Sequence, residues 1–106
     1  MEGKVKVIIK RPDEEYGHVT NISMSLKNLQ KTVEGHIEAV NVSPCAVCLY
    51  NEEGKILGLQ PNFWMGEVYK DLIRGTVVIV GVDGEEFVDI PFDFGTWKRL
   101  LKKWGN

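Results

Sequence analysis

Cysteine is scarce in this chain of 106 residues, which holds only Cys45 and Cys48. Two are too few for a disulfide framework, and a reducing compartment would keep them as thiols. Long apolar runs are missing as well. None approaches the ~20 residues that span a bilayer. The opening MEGKVKVIIKRPDEE has neither the apolar core nor the small-residue cleavage site of a secretion signal, so a cytoplasmic, non-membrane protein is expected. Charge of one sign is not in excess either. The 13 Lys and Arg against 15 Asp and Glu give a net charge of -2, too little to create a general attraction for phosphate backbones or anionic lipids. The phosphate-cradle patterns G-x-x-x-x-G-K-[ST] and G-x-G-x-x-G and the nucleophile elbow G-x-S-x-G are all absent, which argues against an enzyme.

What is present is the composition of an ordinary globular protein. Hydrophobic residues make up 43% and charged residues 26%, proportions that support a core and exclude a disordered or fibrous chain. The length suits one domain, residues 1–106, with no repeat or linker at which to divide it.

Periodicity places the elements. KVKVIIKR alternates Lys4, Lys6, Ile8 and Lys10 with Val5, Val7, Ile9 and Arg11, as a strand with a solvent-facing basic side would. After the turn RPDEEYGH, HVTNISM predicts its hairpin partner. SLKNLQKTVEG changes to helical spacing, with Ser25 as N-cap and Gly35 suited to the left-handed position after the last turn. HIEAVNV predicts a strand that Ser43-Pro44 interrupts, and CAVCLYN and KILGLQ predict two strands joined by a hairpin turn at NEEGK. FWMGEVYKDLIRG carries a weak signal, a turn of helix or a loop, with Pro61 breaking the pattern before it. GTVVIVGVDG is β-branched throughout and predicts a central strand covered on both faces. EEFVDIPF suggests a short edge segment. DFGTWKRLLKKWGN predicts a final helix, capped by Asp93 or Thr96, with Phe94, Trp97, Leu100, Leu101 and Trp104 on one side. The expected fold is α+β: a single compact domain with a mostly antiparallel or mixed sheet of about five to six strands and two helices, in the order ββα-βββ-β-α.

Few constellations point to chemistry. Cys45 and Cys48 have the C-x-x-C spacing, but His18 and His36 stand apart without metal-site spacing. Residues three apart on a strand also face opposite sides, so buried structural thiols are expected, with a metal or redox pair as the lesser alternative. Glu52 and Glu53 read as solvated turn residues rather than an acid/base couple. No metal or cofactor is expected.

Two features point to a partner. Asp83, Glu85, Glu86, Asp89 and Asp93 form an acidic stretch without an intervening base, whereas Lys98, Arg99, Lys102 and Lys103 crowd the last helix. PNFWMGEVY sets Phe63, Trp64, Met65 and Tyr69 in an irregular segment, as core packing or as the apolar anchors of an interface.

In combination, KVIIKRPDE, SLKNLQKTVEGHIEAV, YNEEGKILGLQPN, GTVVIVGVDGEEF and FGTWKRLLKKWGN resemble the domain-of-unknown-function family DUF3846, small proteins of phages, plasmids and related elements of gut Firmicutes. The resemblance runs nearly end to end. Relatives often carry a cysteine immediately before NEEG, where this chain has Tyr50 and instead has Cys48 two places earlier. The resemblance implies no reaction. It implies a bacterial host and a mobile-element setting, in which small acidic proteins without an active site often inhibit host defence. The expectation is therefore a non-catalytic inhibitor of the anti-CRISPR or anti-restriction type. Its partner would be a host protein or nucleoprotein complex. Trp64, Met65 and Tyr69 would anchor it, and Asp83, Glu85, Glu86, Asp89 and Asp93 would meet a basic groove. A nucleic-acid-binding accessory protein using Lys4, Lys6, Lys10 and the last helix is the less favoured alternative, and a Cys/His metal or redox protein the third.

Overall fold

A computed structural model describes residues 3–106. Ten elements follow one another: β1 (Lys4–Lys10), β2 (His18–Ser23), α1 (Leu26–Val33), β3 (Ile37–Ser43), β4 (Ala46–Asn51), β5 (Pro61–Met65), β6 (Asp71–Arg74), β7 (Val77–Asp83), β8 (Glu86–Val88) and α2 (Phe94–Lys103). The main sheet has the order β2-β1-β7-β4-β3, with β8 paired to the far half of β7, and every pairing is antiparallel. This is the expected α+β domain, with the β-branched run of β7 at its centre and buried from Val77 to Gly81.

The two sides of β7 look onto two cores. Val77 and Ile79, with Ile8 and Cys48, face Phe63, Met65, Ile73, Trp97, Leu101 and Trp104, contributed by the β5–β6 hairpin and α2. Val78 and Val80, with Val7, Ile9, Val47 and Leu49, face Leu29 of α1. In the first core Trp97 stands edge-on to Phe63 (5.8 Å) and to Trp104 (6.1 Å), geometries that add about 0.5–1.5 kcal/mol per pair beyond burial. The Trp97 indole donates to the Tyr16 carbonyl (2.8 Å), so its one polar atom is satisfied. Asp93 rather than Thr96 caps α2: its Oδ1 accepts from the Thr96 N–H at 2.8 Å, which also holds its carboxyl below the usual range.

Beyond β8 the chain leaves β7 and bonds to β1. The Ile90 N–H donates to the Lys6 carbonyl and the Lys6 N–H to Asp89 Oδ1 (2.9 and 2.8 Å). A Cβ at Gly81 would lie 2.3 Å from the Asp89 carbonyl, so only glycine lets that segment pass.

Four expectations need correction. KILGLQ is not a strand, and NEEGK is not a hairpin turn: after Asn51 the chain runs through consecutive turns to Gly58, closed by Leu57 N–H to Glu53 and Leu59 N–H to Gly54. Those internal bonds satisfy the backbone, and Ile56 has no sheet to cover it. FWMGEVYKDLIRG is neither helix nor plain loop but most of a hairpin, β5–β6, which begins at the very Pro61 expected to break structure; proline is tolerated as the first residue of an edge strand. Lys10 does not face solvent with Lys4 and Lys6. It is 3% exposed, because β5 closes over that end of the sheet. Glu34, not Gly35, takes the left-handed conformation after α1 (φ 65°). Gly35 is needed instead for space, since a Cβ there would meet Asn51 Nδ2 at 2.7 Å.

Candidate functional site

The β5–β6 hairpin presents the most exposed aromatic residue of the chain. Alternation along β5 buries Phe63 and Met65 and turns Trp64 outward, opposite Leu72 on β6. Met65 is therefore core, and the expectation that it anchors a partner is corrected by the strand's period of two. Trp64 is 45% exposed, and its main chain is held on both sides: the Asn106 side-chain amide donates to its carbonyl (2.8 Å) and accepts from its N–H (2.9 Å).

The connecting loop, residues 66–70, is tight and fastened at two points. A Cβ at Gly66 (φ 103°) would lie 2.5 Å from the Tyr69 carbonyl, so glycine is required for the closure. Glu67 pairs with Lys103 (3.0 Å), and the Lys70 ammonium donates to the Trp104 carbonyl (2.7 Å) at the C-terminal end of α2, where a cation is favoured. Between these two ties Val68 and Tyr69 project outward, 82% and 93% exposed. Isolated apolar residues on a surface are ordinary, and Trp64, Val68 and Tyr69 are three exposed ones within a single hairpin.

A second exposed apolar group adjoins β6. The turn after Asn51 carries Ile56 (83% exposed) and Leu57. It is fastened by Arg74, whose guanidinium donates to the Leu59 carbonyl (3.1 Å), and a cavity of about 120 Å³ separates the turn from Leu72 and Ile73. Asn51, buried at the root of this turn, accepts from the Glu53 N–H (2.7 Å) and donates to the Val33 and Glu34 carbonyls, so it also closes the end of α1. Val68, Ile56 and Leu57 were not legible as surface residues. The first looked like one residue of a helix or loop, and the other two like strand.

The acidic residues do not join this surface. Asp83, Glu85 and Glu86 are exposed around the β7–β8 turn, at the opposite end of β7 from the junction with β6, roughly 20 Å along a strand of seven residues. Asp89 and Asp93 are exposed too, but they hold the Lys6 N–H and cap α2. Three carboxylates therefore form the acidic tip. The basic residues of α2 are also dispersed: Lys98 and Lys102 flank the Tyr16 ring at 4.8 and 5.9 Å, Arg99 donates to Thr96, and Lys103 pairs with Glu67.

The cysteines separate. Cys45 is exposed, contrary to the expectation of two buried thiols, because it precedes β4 and lies outside the packed sheet; Cys48 is fully buried, and burial pushes its thiol far up. Among the described residues no three His, Cys, Asp or Glu side chains gather as a metal site would require. His18 sits on Glu14 (2.8 Å). Partial burial pushes the Glu14 carboxyl up, but the Arg11 N–H, the His18 contact and the Arg11 charge bring it below its usual range.

No curated protein and no solved structure matches the chain. The sequence model described as "Domain of unknown function (DUF3846)" matches residues 5–104, nearly end to end, and the protein belongs to that family.

Proposed function

We propose that the protein is a non-catalytic binding protein that blocks a host macromolecular machine, and that Trp64, Val68 and Tyr69 make the contact. The observation that carries this reading is Tyr69, 93% exposed on a loop whose neighbours Glu67 and Lys70 are both tied to α2. An aromatic side chain displayed on a fixed backbone loses little freedom on binding and buries a large area, which is how interface anchors work. The target class, a nucleic-acid-processing defence effector inhibited in the manner of anti-restriction or anti-CRISPR proteins, rests on the mobile-element setting that the family resemblance implies. The acidic tip of Asp83, Glu85 and Glu86 supports the same class, since it suits a groove shaped for phosphates. Co-purification of the tagged chain with purified bacterial nucleases and defence complexes tests the reading. Binding should be lost in the double variant Trp64→Ser, Tyr69→Ser; binding that survives it removes the hairpin from the account.

A second reading, direct contact with nucleic acid, is favoured by one observation. Lys98 and Lys102 both lie over the Tyr16 ring, an arrangement that gathers two cations and an aromatic side chain at one place, as contacts to a nucleic-acid backbone and base require. The buried Lys10 takes no part. Binding to single-stranded DNA or RNA that weakens steeply with salt would favour this reading, and no binding at low salt would end it.

A further inference from the structure

The main sheet ends at β3, whose outer edge pairs with no other strand among the described residues. Antiparallel pairing alternates residues that bond to the neighbouring strand with residues that point away. The Glu52 N–H donates to the His36 carbonyl (2.9 Å), and the Val82 N–H donates to the Cys45 carbonyl (2.8 Å). With the register Ile37↔Asn51 and Ala46↔Gly81, both bonds give the same answer: Glu38 and Val40 bond to β4, and the main-chain groups of Ile37, Ala39 and Asn41 point outward. The strand IEAVNVS contains neither lysine nor proline, and its one edge-blunting feature is the irregularity between Asn41 and Ser43 at its end, which leaves Ile37 to Asn41 in regular register. Beside it lies a groove of about 300 Å³ between β3 and α2, with Val42, Phe92 and Leu100 as its apolar floor and Arg99 and Lys103 at its side.

We propose that a second copy of this chain occupies the edge, its β3 running antiparallel to the first about a two-fold axis at Val40. In that register Ala39 of each copy lies opposite Asn41 of the second copy, so outward main-chain groups meet outward main-chain groups. Glu38 of the second copy then approaches Val42, the residue at the irregularity between Asn41 and Ser43. Val42 lines the groove, so the incoming carboxylate enters beside Arg99 and Lys103. Glu38 is exposed and forms no ion pair among the described residues, which leaves it available for this contact. Arg99 and Lys103 keep unused donors after their bonds to Thr96 and Glu67. The two-fold repeats the match, so each copy supplies one carboxylate and one cationic groove, as an isologous interface requires. The other edge, β2, carries no carboxylate with which to make such a match. This interface is independent of the hairpin and of whatever partner the hairpin meets.

Sedimentation equilibrium of the full chain tests the proposal. The expected species has twice the 12.0 kDa of one chain at high concentration and dissociates on dilution. Glu38→Lys should raise the dissociation constant at least tenfold by setting like charges together, as should Arg99→Glu, and the two combined in one chain should restore association. Ala39→Pro removes an outward N–H and no bond to β4, so it should abolish the dimer while leaving circular dichroism and the melting temperature nearly unchanged. If that variant fails to fold, the two charge variants, both on the surface, carry the test. A 12.0 kDa species at every concentration overturns the proposal. So does a dimer whose affinity ignores the charge reversals.

Discussion

Lys10 and Asn62 hold each other reciprocally: the Lys10 ammonium donates to Asn62 Oδ1 at 2.6 Å, and Asn62 Nδ2 donates to the Lys10 carbonyl at 2.8 Å. The same Nδ2 reaches the Gly75 carbonyl (2.7 Å), and the ammonium also meets the Glu14 carbonyl (2.7 Å). One asparagine thus ties β1 to the base of the β5–β6 hairpin, which carries the exposed aromatics at its other end.

Asn62→Leu should destabilise the fold by about 2 kcal/mol, because a buried ammonium loses an acceptor and two carbonyls lose a donor. Lys10→Met should cost less, since it removes the buried charge along with its bonds. Urea denaturation of the two variants checks the order. Equal losses would mean that the reciprocal pair contributes no more than packing.

The end of α1 gives a prediction of opposite signs at adjacent positions. Glu34 occupies left-handed backbone that disfavours any side chain, so Glu34→Gly should stabilise by about 0.5–1 kcal/mol. Gly35→Ala should destabilise, because its Cβ would displace Asn51 Nδ2 from the Val33 and Glu34 carbonyls. Thermal melts of both variants test the assignment, which fails if Gly35 tolerates alanine.

Alkaline pH should expose the Cys48 thiol's contribution. Burial raises it in the folded chain, whereas in the unfolded chain it ionises near its ordinary value of 9.0. Above that pH the unfolded state sheds a proton that the folded state keeps, so stability falls, by at most about 1.4 kcal/mol per pH unit for one group. Lys10 acts the other way: desolvation lowers its value against the opposing pull of Glu14 and Asp13, so stability rises between that lowered value and 10.5. The two are separated by comparing the chain with Cys48→Ala between pH 8 and 10. The variant should lose the downward slope, and parallel curves would contradict the account.

The strands of the main sheet and both helices were legible because their periods are clean: two in KVKVIIK, helical in LKNLQKTV, continuous burial in VVIVG. What was not legible depends on contacts remote in sequence. Nothing in KILGLQ reveals that its amides close on Glu53 and Gly54 rather than on a strand, or that Asn51 is needed at the end of α1. The alternation in PNFWM was visible in principle, but Pro61 and Gly66 disguised a hairpin that only the core beneath it makes stable. The same alternation would have sorted Met65 from Trp64. Lys10 shared a period with Lys4 and Lys6, and a β5 more than fifty residues later decides that it is buried.

The acidic tip is separable from the hairpin. Glu85→Lys with Glu86→Lys should leave the fold intact, since both side chains are exposed, one in the β7–β8 turn and one at the start of β8, and should weaken binding to a basic partner more at low salt than at high salt. A uniform loss at all salt concentrations, or none, would take the tip out of the interface.

The most direct test is calorimetric titration of a captured partner with the wild-type chain and with Tyr69→Ser. That residue touches so little of its own protein that the melting temperature should not change. The account predicts that Tyr69→Ser weakens binding at least tenfold at unchanged stability. Binding as tight as that of the wild type would contradict it.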